Sequence, residues 1–168
     1  MAFASAFDGN RSLRFAVARP KSAAVNVLDL ALSRTLGLVE APAGAAHLLE
    51  MPLAPLVHNH LGTVHAAAQF ALAEAASAAC LRRRFGAGAG VVFAVVRRAD
   101  VRYRRPATSD LLAFAQPDET ACDQLLAVLA DRGRASALIR VDLRERSGTL
   151  TFHGTFEWFI SRDRVATP

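Results

Sequence analysis

The chain has 168 residues, with 20 Lys and Arg against 15 Asp and Glu, for a formal net charge of +5. Hydrophobic residues make up 52% and charged residues 21%, which excludes a disordered chain. The longest apolar stretch, rich in alanine, is interrupted by Glu74, so no run reaches the roughly 18 residues that mark a membrane span. A chain of this length holds one domain whose core needs no disulfide or metal.

Along the chain, residues 1–20 lack a continuous apolar segment of the secretory type and are expected to form a tail or strap. Residues 22–36 predict a helix, capped by Ser22, with Val25, Leu28 and Leu32 on one face and Gly37 at its end. A loop follows at 41–45, then an edge strand over 47–56, because Pro52 and Pro55 cannot donate to a central ladder. After the loop at 58–62, the alanines and leucines from Thr63 to Arg84 predict a long helix capped by Thr63. Its interior is apolar all round except at Gln69, Glu74 and Ser77, the mark of a helix buried on most sides. The glycines at 86, 88 and 90 are expected to end it.

Val91–Val96 reads as a central strand continuing in alternation through Val101 and Tyr103, and Leu111–Ala115 as another strand. Asp118 to Asp131 predicts a surface helix closed by Gly133. A hairpin ends the chain: Ile139, Val141 and Leu143 alternate with Arg140, Asp142 and Arg144, Ser147-Gly148 turns, and Leu150, Phe152, Phe156, Trp158 and Ile160 share the return face. The outline is α+β, one buried helix wrapped by an antiparallel sheet.

Cys80 and Cys122 sit in apolar, helix-like runs without CxxC spacing, so a zinc knuckle or redox pair is excluded and a cytoplasmic location is expected. Lys21 is the only lysine, and eight arginines fall between Arg82 and Arg105. Guanidinium groups suit phosphate recognition, whereas the bland alternative is a solvated face with local salt bridges. The cluster lacks the aromatic interleaving of a nucleic-acid surface, so neither nucleic acid nor membrane is expected as a partner. His58 and His60, near His65 and Glu74, give only a weak metal signal, and no metal is expected.

The chemistry concentrates between Asn59 and Glu74. Glu74 is the only acidic residue between Glu50 and Asp100, and it lies in the most apolar context of the chain. Burying an unpaired carboxylate costs several kcal/mol and raises its pKa toward the range of a general base. The alternative is a salt bridge to a nearby arginine, or simple exposure. Upstream, His65-Ala66-Ala67 opens the helix, where free N–H groups make a site for an oxyanion and small side chains admit a substrate. From His65 to Glu74 is nine residues, about 180° around a helix axis. A two-fold dimer solves the mismatch by bringing the helix start of one chain to Glu74 of its partner.

The pattern Asn59-x-Leu61-Gly62-Thr63-x-His65, two small residues and then Glu74 resembles the hotdog-fold acyl-CoA thioesterases, most closely the phenylacetate-pathway branch and its relatives. The resemblance covers about residues 46–162, and the strand ending in Arg105-Pro106-Ala107 is similar to that family's strand after the helix. It implies a hotdog domain over 46–164, preceded by a tail and helix extension over 1–45, with the helices at 22–36 and 118–131 as additions. It implies Glu74 as general base or nucleophile, the Ala66 N–H after His65 as the group polarising the thioester carbonyl, and Asn59 as placing water or thioester. Arg102, Arg104 and Arg105 are the expected holders of the CoA phosphates, and no cofactor is implied beyond CoA as part of the substrate.

Two departures stand out: Ala66-Ala67 replaces the usual Gly-Gly, and the strand after the helix has an apolar residue near Val96 where some members carry Ser or Thr. The expected function is hydrolysis of an acyl-CoA or related thioester by a homodimer or dimer of dimers. The alternatives are a non-catalytic acyl-CoA-binding or regulatory protein and an enoyl-thioester hydratase or dehydratase.

Overall fold

The computed structural model of the chain describes residues 26–89 and 92–162. Asn26 accepts a hydrogen bond from the Leu28 N–H at 3.2 Å and starts a 3-10 turn, Val27–Asp29. Leu30 then has extended backbone (φ −67°, ψ 140°) before α1, Ala31–Thr35. Within its described part, the continuous helix expected over 22–36 is two short pieces, and Leu32, expected on its buried face, is exposed while Ser33 is buried. Gly37, at φ 68°, ends α1 as expected, whereas Ser22 and Val25 lie outside the described residues.

β1, Val39–Glu40, is a two-residue strand that no alternation announces, and it pairs with β2, Leu49–Met51. The strand expected over 47–56 is this short because Pro52 follows directly and Pro55 begins a 3-10 turn, Pro55–Val57. α2 runs from Ala66 to Ala89, later at both ends than the expected 63–84. It passes through Gly86 and Gly88, each costing an alanine-rich helix only about 1 kcal/mol. Leu72, Ala73 and Ala76 of α2 are fully buried.

β3, Phe93–Tyr103, follows, with Val91 outside the described residues. β4 (Leu111–Pro117), α3 (Glu119–Cys122), α4 (Leu125–Arg132), β5 (Arg134–Glu145) and β6 (Leu150–Ser161) complete the chain. The surface helix expected over 118–131 is split at 123–124; Leu125 and Leu129 bury its apolar side, and Gly133 closes it at φ 67°. The C-terminal hairpin is as expected, with Gly148 at φ 87° in its turn.

Among the described residues, six strands form one antiparallel sheet in the order β1-β2-β4-β5-β6-β3, and α2 packs mainly on β4 and β5. This is the expected α+β hotdog architecture. One placement differs: among the described residues β3 pairs only with β6 and lies at the edge of the sheet, although its apolar run reads as central. Its Phe93 and Val95 are accordingly 41% and 37% exposed. The core lies between α2 and the sheet, where Phe152, Phe156, Ile139, Val141 and Leu143 are buried to 1% or less.

Candidate active site

The start of α2 is held from three directions. The His65 N–H donates to the Val57 carbonyl at 2.7 Å, and the Val64 N–H to the Ala107 carbonyl at 2.8 Å, tying the helix entry to the segments before and after it in sequence. Between them Asn59 closes the loop: its side-chain oxygen accepts from the Leu61 and Thr63 N–H groups (2.9 and 3.1 Å), and its amide donates to Thr63 Oγ1 at 2.8 Å. Gly62 supplies the positive φ of 75° that the tight loop requires.

These bonds explain why Thr63 is not the cap. Its hydroxyl and carbonyl are both spent on Asn59, so the helix starts after His65. The His65 ring takes the capping role, Nδ1 accepting from the Ala67 N–H at 3.0 Å, which leaves the ring's neutral-form proton on Nε2. The Ala66 N–H has no acceptor among the described residues, and Ala66 itself is exposed.

Tyr103, unremarked as a site residue in the sequence, joins this cluster from β3. Its hydroxyl donates to the Ala66 carbonyl at 3.2 Å, and its ring meets Phe152 edge-on with centroids 5.3 Å apart. The signal that it belongs here is its register: Tyr103 pairs with Phe152, whose side chain faces the core.

Glu74 lies eight residues beyond Ala66, about 12 Å further along the helix axis. It is half-buried, its side chain makes no hydrogen bond or ion pair among the described residues, and burial pushes its carboxyl above the ordinary range. The salt-bridge alternative finds no partner there. The turn that carries Glu74 is fixed: Ser77 Oγ donates to the Glu74 carbonyl at 2.7 Å and accepts from the Trp158 indole N–H at 3.0 Å. Asn59, His65 and Ala66 therefore meet at one end of α2, while Glu74 stands apart within the same chain.

The arginines do not form one patch. Arg84 pairs with Glu119 at 3.7 Å, and Arg97 lies over the Phe159 ring at 3.7 Å from its centroid. Arg102 and Arg104 share a cavity of about 510 Å³ with Arg98, Asp100, His153 and Glu157. Because alternate residues of a strand face opposite ways, that cavity lies on the face of the sheet away from α2, opposite the side to which Tyr103 points. Arg105, exposed, follows in the loop after β3, and its N–H reaches the Thr151 carbonyl at 3.4 Å. Arg98, not singled out in the sequence reading, is the addition to this group.

Among the described residues, no three His, Cys, Asp or Glu side chains are arranged to hold a metal ion, and no helix is long and apolar enough to cross a membrane.

Comparison with known proteins places these features. The fold is similar to PA5026 of Pseudomonas aeruginosa, a protein of unknown function called a probable thioesterase, at 25% identity and a TM-score of 0.68 over 80% of this chain and 90% of that one. It is similar to thioesterase HI1161 of Haemophilus influenzae at 18% identity and a TM-score of 0.61, over 83% of this chain and 90% of that one. It is also similar to BH2602 of Bacillus halodurans, whose structure contains CoA, at 20% identity and a TM-score of 0.60, over 77% of this chain and 74% of that one. No curated protein matches the sequence. Residues 39–160 match the family described as Domain of unknown function (DUF4442). The chain belongs to that family and has the hotdog fold of these structures.

Proposed function

We propose that the protein hydrolyses an acyl-CoA, or a related acyl thioester, to the free acid and thiol. The observation that carries this reading is Glu74, a carboxylate without a partner among the described residues, in an apolar helix and with its pKa raised by burial. A carboxylate whose proton affinity is raised in this way is a better base toward water and takes a proton from it. The hydroxide so formed adds to the thioester carbonyl carbon, and the developing oxyanion is met by the Ala66 N–H. The C–S bond then breaks, the leaving thiolate takes back the proton that Glu74 accepted from water, and the acid remains. Asn59 serves by shaping the loop that presents Ala66, with one amide hydrogen left over for substrate or water. The reaction requires no cofactor, CoA entering as part of the substrate. The CoA held by the BH2602 structure supports this ligand class.

The site is shared between two subunits in this account. Glu74 stands about 12 Å further along the helix axis than Ala66, so the Ala66 N–H of one chain and Glu74 of a partner meet on one thioester when two copies pair about a two-fold axis. The edge of β3 that is unpaired among the described residues, with Phe93 and Val95 exposed, suits antiparallel pairing with the same strand of a second copy. A dimer or a dimer of dimers follows. Sedimentation at micromolar concentration is expected to give no monomer; an active monomer contradicts the shared site. Arg102, Arg104 and Arg105, with Arg98, are assigned to the CoA phosphates. Two buried free cysteines accord with a reducing compartment, and the cytoplasm is the proposed location.

The test is release of free thiol from a panel of acyl-CoAs. Binding without release selects the second reading, a non-catalytic acyl-CoA binder in which Ala66 and Ala67 crowd the carbonyl. Hydration of a crotonyl thioester selects a hydratase.

A further inference from the structure

We propose that Tyr103 is a positioning residue for the Ala66 amide, its hydroxyl fixing the first peptide of α2 so that the Ala66 N–H keeps one direction. The proposal rests on the thioesterase reading and adds to it a residue that acts through the oxyanion donor.

The peptide joining Ala66 to Ala67 is gripped at both ends. Its carbonyl oxygen accepts from Tyr103 at 3.2 Å, and its N–H donates to His65 Nδ1 at 3.0 Å. The preceding peptide is held as well, since the His65 carbonyl accepts from the Gln69 N–H at 3.1 Å. Ala66 is thus flanked by two restrained peptide planes, and its own N–H has no acceptor among the described residues. A donor held in this way needs no reorganisation when charge develops on a carbonyl oxygen.

The Tyr103 bond is not needed to satisfy the helix. A first-turn carbonyl takes the N–H four residues on, and the bond from β3 fills its second lone pair. The phenol is aimed by packing: its ring stands edge-on against Phe152, which is fully buried, at an interplanar angle of 75°. Burial also pushes the phenol pKa upward, so the hydroxyl stays a donor through the neutral range.

Tyr103→Phe keeps the ring on Phe152 and removes the donor. With acyl-CoA as substrate, kcat is expected to fall about tenfold with KM and melting temperature unchanged, the signature of an interaction used in the transition state. Hydrogen exchange on the ligand-free protein supplies a readout independent of turnover, and the variant is expected to exchange the Ala67 amide, which is bonded to His65 Nδ1, several-fold faster. Wild-type kcat together with wild-type exchange in an active enzyme overturns the proposal and leaves the thioesterase reading standing. A lower melting temperature with a matching rise in KM also overturns it, because it marks a purely structural role. Absence of thiol release from the wild-type protein itself defeats the thioesterase reading, and the role for Tyr103 falls with it.

Discussion

The Trp158 indole N–H donates to Ser77 Oγ at 3.0 Å, joining β6 to the middle of α2 in a part of the core where Ser77 is fully buried. The same hydroxyl donates to the Glu74 carbonyl at 2.7 Å. One serine thereby links the sheet to the turn that carries the proposed base. Ser77→Ala leaves a buried indole N–H without an acceptor, an expected loss of about 1–3 kcal/mol. Chemical denaturation checks the value; an unchanged midpoint means that the indole finds another acceptor.

Gly154 offers a second stability test. A Cβ built there meets Cε1 of Phe152 at 2.8 Å and a ring carbon of Phe156 at 3.2 Å. Both rings are fully buried and cannot move aside cheaply. Gly154→Ala is expected to destabilise by about 1–3 kcal/mol through overpacking. A melting temperature equal to that of wild type shows that the rings relax.

Acid stability follows from three carboxylates whose pKa values lie below the ordinary range. Glu145 is lowered mainly by the Thr108 backbone N–H, with the Thr108 hydroxyl and Ser109 adding to it. Glu50 is lowered by its hydrogen bond from His47 and by Arg146. At Asp142, burial works against ionisation, but the bonds from His153 and Arg144 outweigh it. A depressed folded-state pKa adds stability above the unfolded pKa and loses it as pH falls through the folded value. Melting temperature is therefore expected to be insensitive to these groups near neutrality and to drop below about pH 4, with Glu145→Gln showing a shallower drop. An identical acid slope in the variant removes Glu145 from the explanation.

Much of this architecture was legible in the residues, and the failures have physical causes. The hairpin was readable because Ile139 to Leu143 alternate cleanly and Ser147-Gly148 turns the chain. The long helix was readable from its alanines, but not its start. Asn59 takes both oxygens of Thr63, and a histidine caps in its place. The edge position of β3 was hidden because its apolar residues look like those of a central strand; the sheet of one chain leaves them exposed. Glu74 stood out by charge alone. Tyr103 did not, since its relation to Ala66 depends on bringing together elements 37 residues apart.

Arg102 and Arg104 line a cavity on the sheet face away from α2, so their effect is expected to depend on the nucleotide part of a substrate. Replacing either with Gln should raise KM for an acyl-CoA about tenfold, the equivalent of ~1.4 kcal/mol for a lost charged contact. KM for a short thioester without the nucleotide should not move. Equal effects on both substrates count against phosphate contacts.

The central claim is that Glu74 activates water for thioester hydrolysis. Glu74→Gln preserves volume and removes the basic oxygen, so the decisive measurement is free-thiol release from acyl-CoA by wild type and variant, with melting temperature taken on the same preparations. The account predicts a loss of about 10²–10⁴-fold in kcat. KM should change little, and the melting temperature should hold or rise, because a neutral amide replaces a half-buried carboxylate. Near-wild-type turnover with a clear drop in melting temperature contradicts it: Glu74 would then be a structural residue.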